Sequence, residues 1–151
     1  MFLRWARHLA RGGILDVIGK SISEIKYLKE FEPIINTEKN QIVGHVIYID
    51  NYGNVITNIS RKLFEQVGKG RKFKLSARMV GFENIHESYS GWINFEQERE
   101  KRGVEDGKKL ALFNSAGYIE LAIYKSNPST VGSASTLFGL ELRDTVTINF
   151  Q

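Results

Sequence analysis

Gly44-His45-Val46-Ile47-Tyr48-Ile49-Asp50-Asn51-Tyr52-Gly53-Asn54-Val55-Ile56-Thr57-Asn58-Ile59 reads as two strands folded on a polar turn. Val43 to Ile49 and Asn54 to Ile59 carry the branched and aromatic side chains that favour β structure. Asn51-Tyr52-Gly53-Asn54 between them supplies turn residues, and Gly53 suits a position of positive φ. An antiparallel hairpin is expected, with a concentration of amide, carboxylate and hydroxyl groups at its tip.

Downstream the same pattern recurs. Phe73 to Val80, Lys109 to Phe113, Tyr118 to Tyr124 and Thr145 to Phe150 are further strand candidates. Ser60 is placed to cap a short helix running through Gln66 to near Gly68, and Ser133 to open another that ends towards Gly139. The polar stretch Gly91 to Lys108 reads as an exposed excursion between strands. Upstream, Lys20 to Gln41 mixes charge, Pro33 and polar residues, and reads as a connector. Before it, Arg4, Arg7 and Arg11 face away from Phe2, Leu3, Ala6, Leu9 and Ala10 at helical spacing. Such an arginine-rich amphipathic start is also compatible with an organelle transit peptide. The expected organisation is a helical segment over 1–19, a connector over 20–41 and a domain over 42–151. That domain is mostly β: a small antiparallel barrel-like sheet with short helices.

Composition narrows the function classes. The 151 residues are 42% apolar and 25% charged, as in globular chains, so long disorder and coiled coil are excluded. No apolar run approaches the roughly 18 residues of a membrane span. Cysteine is absent, which removes disulfides, thiolate zinc sites and cysteine nucleophiles, and a cytoplasmic setting is expected. Lys and Arg number 21 against 17 Asp and Glu, a net charge of +4 that favours anionic partners without naming one.

Few residues are arranged for chemistry of a standard kind. His8, His45 and His86 lie on separate elements, so no metal site is expected. There is no G-x-S-x-G elbow, no P-loop and no dinucleotide-binding glycine turn. At the hairpin, Asp50 can hold a ligand ammonium, and the Asn54 amide offers the donor and acceptor pair that reads a purine edge. The plainer alternative is a turn whose Asp and Asn satisfy their own backbone. Asn114-Ser115-Ala116-Gly117-Tyr118 is a second candidate: small residues let a ligand approach, and the Ser115 hydroxyl can meet a carboxylate, unless the stretch is simply a tight turn. Tyr89 can stack on a flat ligand or pack in the ordinary way beside Trp92. The adenosyl reading needs the hairpin and the Ser115 bend to converge on one concave wall.

Taken in order, these segments resemble the family of S-adenosylmethionine hydroxide adenosyltransferases, relatives of the fluorinating and chlorinating enzymes that act on the same substrate. Gly44 to Asp50 with Tyr52 to Ile59 is similar to the opening of that family's C-terminal domain. Asn114 to Ala122 is similar to its second signature, and Gly132-Ser133-Ala134 with Leu137 to Asp144 to its closing helix and strand. Ala6 to Gly12 resembles the last helix of the family's N-terminal α/β domain. The resemblance implies that residues 1–19 are a helical remnant of a missing α/β domain, and that this chain is a fragment or a truncated product. The catalytic Asp, Arg and His belong to the missing part, so no catalytic residue is expected here and the chain alone would be inactive.

On matching positions the resemblance implies that Asp50 holds the methionine ammonium, Asn54 hydrogen-bonds adenine, Ile56 and Tyr89 flank the ring, and Ser115 lies near the methionine carboxylate. Ala116 and Ile56 stand where the halogenating relatives carry arginine and tryptophan, which favours the hydrolytic branch. No residue is assigned in Tyr124 to Val131, which is longer than the family's usual connection. The implied reaction is hydrolysis of S-adenosylmethionine to adenosine and methionine. The sulfonium makes methionine a good leaving group, so the protein mainly positions and desolvates water. S-adenosylmethionine enters as substrate and no cofactor is implied. The implied partners are that ligand or adenosine and the missing domain, with a homotrimer when complete. Two rivals stand beside this reading. One is a small basic nucleic-acid-binding barrel, supported by the net charge and the run Lys69-Gly70-Arg71-Lys72-Phe73-Lys74. The other is a trimerisation domain that binds no ligand.

Overall fold

In the computed structural model, which describes residues 2–20, 31–36, 38, 40–92 and 106–151, the central hairpin is formed as expected. Strand β2 (Gln41–Ile49) turns into β3 (Val55–Ser60), with Ile49 opposite Val55, Tyr48 opposite Ile56 and Val46 opposite Thr57. The register shifts between Val46 and Tyr48. Such a bulge sharpens the local bend, which lets one strand serve two faces of a curved sheet. The first half of β2 pairs instead with β8 (Thr145–Phe150), from Gln41 opposite Asn149 to His45 opposite Thr145.

The remaining strands extend the sheet in both directions. β4 (Phe73–Ala77) lies beside β8, and β5 (Val80–Phe82) beside β4; β7 (Tyr118–Ile123) lies beside β3, and β6 (Lys109–Phe113) beside β7. The order is β5-β4-β8-β2-β3-β7-β6, antiparallel throughout, with a short β1 (Ile34–Ile35) added on β2. After β5, His86 forms a parallel bridge to Leu112 on β6, at the far edge of the sheet. The result is a nearly closed antiparallel barrel with short helices. Inward residues of every long strand meet in one core, including Ile42, Val46, Val55, Ile59, Leu75, Leu121, Val146 and Ile148.

Helix α1 (Phe2–Ala10) belongs to a first unit, Met1–Glu30, and the barrel to a second, Phe31–Gln151. The division falls inside the segment read as a connector over 20–41, of which residues 21–30, 37 and 39 lie outside the described residues. Most of the excursion expected over Gly91 to Lys108 also lies outside them, at 93–105. No described helix is long and apolar enough to cross a membrane.

Helix α2 (Arg61–Gly68) starts where its cap predicts: the Ser60 hydroxyl accepts the Leu63 N–H at 3.2 Å. Phe64 on α2 packs its ring against Phe73, Phe113 and Phe150, with centroids 5.0, 5.7 and 5.6 Å apart. Helix α4 (Ala134–Phe138) is likewise capped by Ser133 and ends on Gly139. The run Phe73 to Val80, expected as one strand, folds into β4 and β5 about Arg78-Met79. Arg78 sits at φ +50 with no Gly, Asn or Pro to announce the turn, and its guanidinium is paired with Asp144 at 3.1 Å. Helix α3 (Tyr89–Trp92) and β1 carried no sequence signal strong enough to predict them.

Candidate functional site

Two five-residue corners of the barrel share one geometry. At Asp50–Asn54 the Asp50 Oδ1 accepts the N–H groups of Tyr52 and Asn54, both at 2.8 Å, and the Gly53 N–H donates to the Asp50 carbonyl at 2.9 Å. At Asn114–Tyr118 the Asn114 Oδ1 accepts the N–H groups of Ala116 and Tyr118 at 3.1 and 3.0 Å, and the Gly117 N–H donates to the Asn114 carbonyl at 2.9 Å. The glycine at the fourth position has φ +75 in the first corner and +79 in the second. A short acid or amide that bonds its own backbone, followed by a residue free to adopt positive φ, is sufficient to specify both. The plainer reading of each motif as a turn is therefore realised.

The first corner has more than a turn requires. Asn54 Nδ2 donates to Asp50 Oδ2 at 3.0 Å, which orients the amide and leaves its Oδ1 and second N–H without a partner among the described residues. The tip is docked on α4: the Ser135 N–H donates to the Gly53 carbonyl at 2.9 Å, and a Cβ at Gly53 would lie 2.2 Å from Ser133 Cβ. Asp50 and Asn54 are thus presented by a clamped hairpin rather than a loose loop.

Beside the hairpin, Ile56 on β3 pairs across the sheet with Glu120 on β7. Glu120 is buried, at 8% exposure, and its Oε1 accepts the Tyr89 hydroxyl at 2.8 Å. Tyr89 reaches it from α3, whose approach is pinned by backbone bonds at His86, which donates its N–H to the Ala111 carbonyl and accepts the Phe113 N–H. An Arg61–Glu87 ion pair adds a second tie, with the Arg61 guanidinium 4.6 Å above the Phe113 ring. Burial, the bond to Glu120 and the charges of Glu120 and Asp50 hold the Tyr89 phenol well above its ordinary pKa of 10. Asp50, Asn54, Ile56 and Tyr89 therefore lie in one neighbourhood.

Ser115 does not join them. It is exposed in the second corner, which abuts the end of β3: Tyr118 pairs with Ser60, and the Arg61 N–H donates to the Gly117 carbonyl at 2.7 Å. The first corner abuts the start of the same strand; because β3 is bulged between Ile56 and Ser60, its five steps lie opposite only three of β7, from Leu121 to Tyr118, a span on the order of 10 Å at about 3.3 Å per residue. The two corners thus flank the two ends of β3.

Sequence reading missed Glu120 and Ser133. Glu120 had a signal, a lone acid in the apolar run Tyr118-Ile119-Glu120-Leu121-Ala122-Ile123. Ser133 was visible as a cap but not as the seat of the hairpin. No group of metal-ligating side chains occurs among the described residues. A separate groove of about 440 Å³, lined by Lys74, Phe82, Glu83, Asn84, His86 and Lys109 among others, contains none of the candidate residues. In the basic run nearby, Arg71 donates to the Val67 and Gly68 carbonyls and lies 5.1 Å from the Phe150 ring centroid, a use that closes α2.

Residues 44–147, more than half of the chain, match the family model described as SAM hydroxide adenosyltransferase C-terminal domain. The chain belongs to this SAM hydroxide adenosyltransferase family. The matched span begins within β2 and ends within β8, so it takes in both corners, α4 and the Tyr89–Glu120 pair. Among solved structures, an uncharacterized conserved protein from Thermotoga maritima is similar at 23% identity and a TM-score of 0.59, over 94% of this chain and 48% of that one. A conserved hypothetical protein from Thermus thermophilus is similar at 19% identity and a TM-score of 0.53, over 93% of this chain and 47% of that one. The chain spans about half the length of these solved relatives, which share its fold. No curated protein matches it.

Proposed function

We propose that the barrel provides one wall of an adenosyl-binding site in an enzyme that hydrolyses S-adenosylmethionine to adenosine and methionine. The observation that carries this reading is the Asn54 amide, oriented by Asp50 on a clamped hairpin with a donor and an acceptor still open, next to Ile56 and Tyr89. An open amide edge satisfies the complementary edge of adenine. Ile56 and the Tyr89 ring supply the apolar flanks that a purine face needs. The one acceptor site remaining on Asp50 faces the ligand ammonium, and Ser115, at the other end of the short strand β3, is offered to the methionine carboxylate.

The opposite wall and the groups that activate water are assigned to an α/β domain that is not among the described residues, in a trimeric assembly. On this reading the chain alone releases no adenosine, and it works in the cytoplasm. Half a site binds weakly, because each contact contributes on the order of 1 kcal/mol against the cost of ordering the ligand.

The test is a titration of the chain with adenosine, S-adenosylmethionine and a single-stranded oligonucleotide at two salt concentrations, followed by NMR. Nucleoside-dependent shifts at residues 50–56 and 89 are expected, weakened about fivefold by Asn54→Ala, as loss of roughly 1 kcal/mol requires. Strongly salt-dependent oligonucleotide binding with no nucleoside response would overturn the proposal in favour of a nucleic-acid module.

A further inference from the structure

Glu120 has no evident structural reason to be an acid. It sits on β7 between Ile56 of β3 and Leu112 of β6, on the sheet face that also carries Leu110 and Ala122. A residue of similar shape without charge would fill the same space. Its burial is nearly complete at 8% exposure, and its one hydrogen bond among the described residues is the Tyr89 hydroxyl on Oε1. Burying a carboxylate without a cation is costly, since a single neutral donor restores only part of the lost hydration.

No cation among the described residues is paired with it. The ion pairs found there are Arg61 with Glu87 just before α3, Arg78 with Asp144 and Lys125 with Asp106, and none includes Glu120. Among the described residues the Asp50 carboxylate is likewise bonded only within its turn, to the N–H groups of Tyr52 and Asn54 and to the Asn54 amide. Both carboxylates raise the pKa of the Tyr89 phenol, and neither is ion-paired among the described residues. A site of that kind favours a ligand that brings its own positive charge, because attraction between opposite charges strengthens as water is excluded.

We propose that Glu120 is a specificity-determining residue that makes this site prefer a sulfonium adenosyl ligand over its neutral thioether and over plain adenosine. The inference rests on the adenosyl-site reading and adds to it the discrimination of charge at sulfur. Glu120 acts in two ways: its Oε1 holds the Tyr89 ring in place, and its charge, with that of Asp50, stabilises the sulfonium. The second role matters for turnover, because after the carbon–sulfur bond breaks the methionine sulfur is neutral and this attraction is gone, which favours product release.

The experiment measures binding of S-adenosylmethionine, the thioether S-adenosylhomocysteine and adenosine to the full chain by NMR titration. In the unaltered chain the sulfonium ligand should bind about tenfold more tightly than the thioether, a difference of about 1.4 kcal/mol. Glu120→Gln keeps the shape and an oxygen that accepts the Tyr89 hydroxyl while removing the charge. It should collapse the preference between sulfonium and thioether to within about twofold. An unaltered chain that binds thioether and sulfonium equally overturns the inference whether or not the variant folds, as does a Glu120→Gln variant that keeps the tenfold preference. Absence of binding by all three ligands overturns the adenosyl-site reading itself.

Discussion

Substituting alanine at Gly53 and, separately, at Gly117 compares two corners of the same design that differ in what surrounds them. Both glycines have positive φ, +75 and +79, so an alanine Cβ is strained at either position by about 1 to 2 kcal/mol. At Gly117 nothing lies within 4 Å of the added Cβ, whereas at Gly53 it would meet Ser133 Cβ and Oγ at 2.2 Å and Ser135 Oγ at 3.2 Å. Ser133 is 2% exposed and caps α4, so it cannot swing aside without uncapping that helix. Overpacking of this kind costs roughly 1 to 3 kcal/mol more. Gly53→Ala should therefore destabilise by about 2 to 5 kcal/mol and Gly117→Ala by only about 1 to 2, read from urea midpoints at constant slope. Hydrogen exchange supplies a local check: the Ser135 N–H, bonded to the Gly53 carbonyl at 2.9 Å, should lose protection in Gly53→Ala and keep it in Gly117→Ala. Equal destabilisation by the two variants, or an unchanged Ser135 amide, would refute the claim that α4 clamps the hairpin.

Two further outcomes concern the titrating groups. The Tyr89 phenol is held above 10 chiefly by burial and then by Glu120, so one of the six tyrosines should ionise late in an ultraviolet titration and Glu120→Gln should bring it earlier. Because the folded chain keeps that proton after the unfolded chain has lost it, stability should fall as pH rises above 10. The Asp144 carboxylate is lowered from 3.8, first by the Glu141 N–H at 2.7 Å and then by Arg78. Its contribution is present above the unfolded value and lost as pH falls through the lower folded one, so the unaltered chain should lose stability relative to Asp144→Asn below about pH 4. A constant difference between the two across that window would remove Asp144 from the account.

How far the site was legible depends on the range of the interactions that form it. The two corners were readable because Asp50 and Asn114 bond to backbone only two and four residues ahead, and glycine follows at the fourth place. Ser60 and Ser133 were readable as caps for the same local reason. The break in Phe73 to Val80 was not, because Arg78 has an ion-pair partner 66 positions away at Asp144. Glu120 was visible as an oddity and nothing more, since its partner Tyr89 lies 31 positions distant.

By itself, then, the sequence determined the strand pattern, the hairpin and its turn chemistry, the helix starts and the family, all of which depend on neighbours in the chain or on the order of motifs. Only the tertiary structure decided which motifs share a site. Strand order and the bulged register of β3 on β7 put Ile56 beside Glu120, bring Tyr89 down onto it and send Ser115 to the opposite end of the strand. Those relations are set by pairing between segments distant in sequence, and local side-chain preferences carry no information about them.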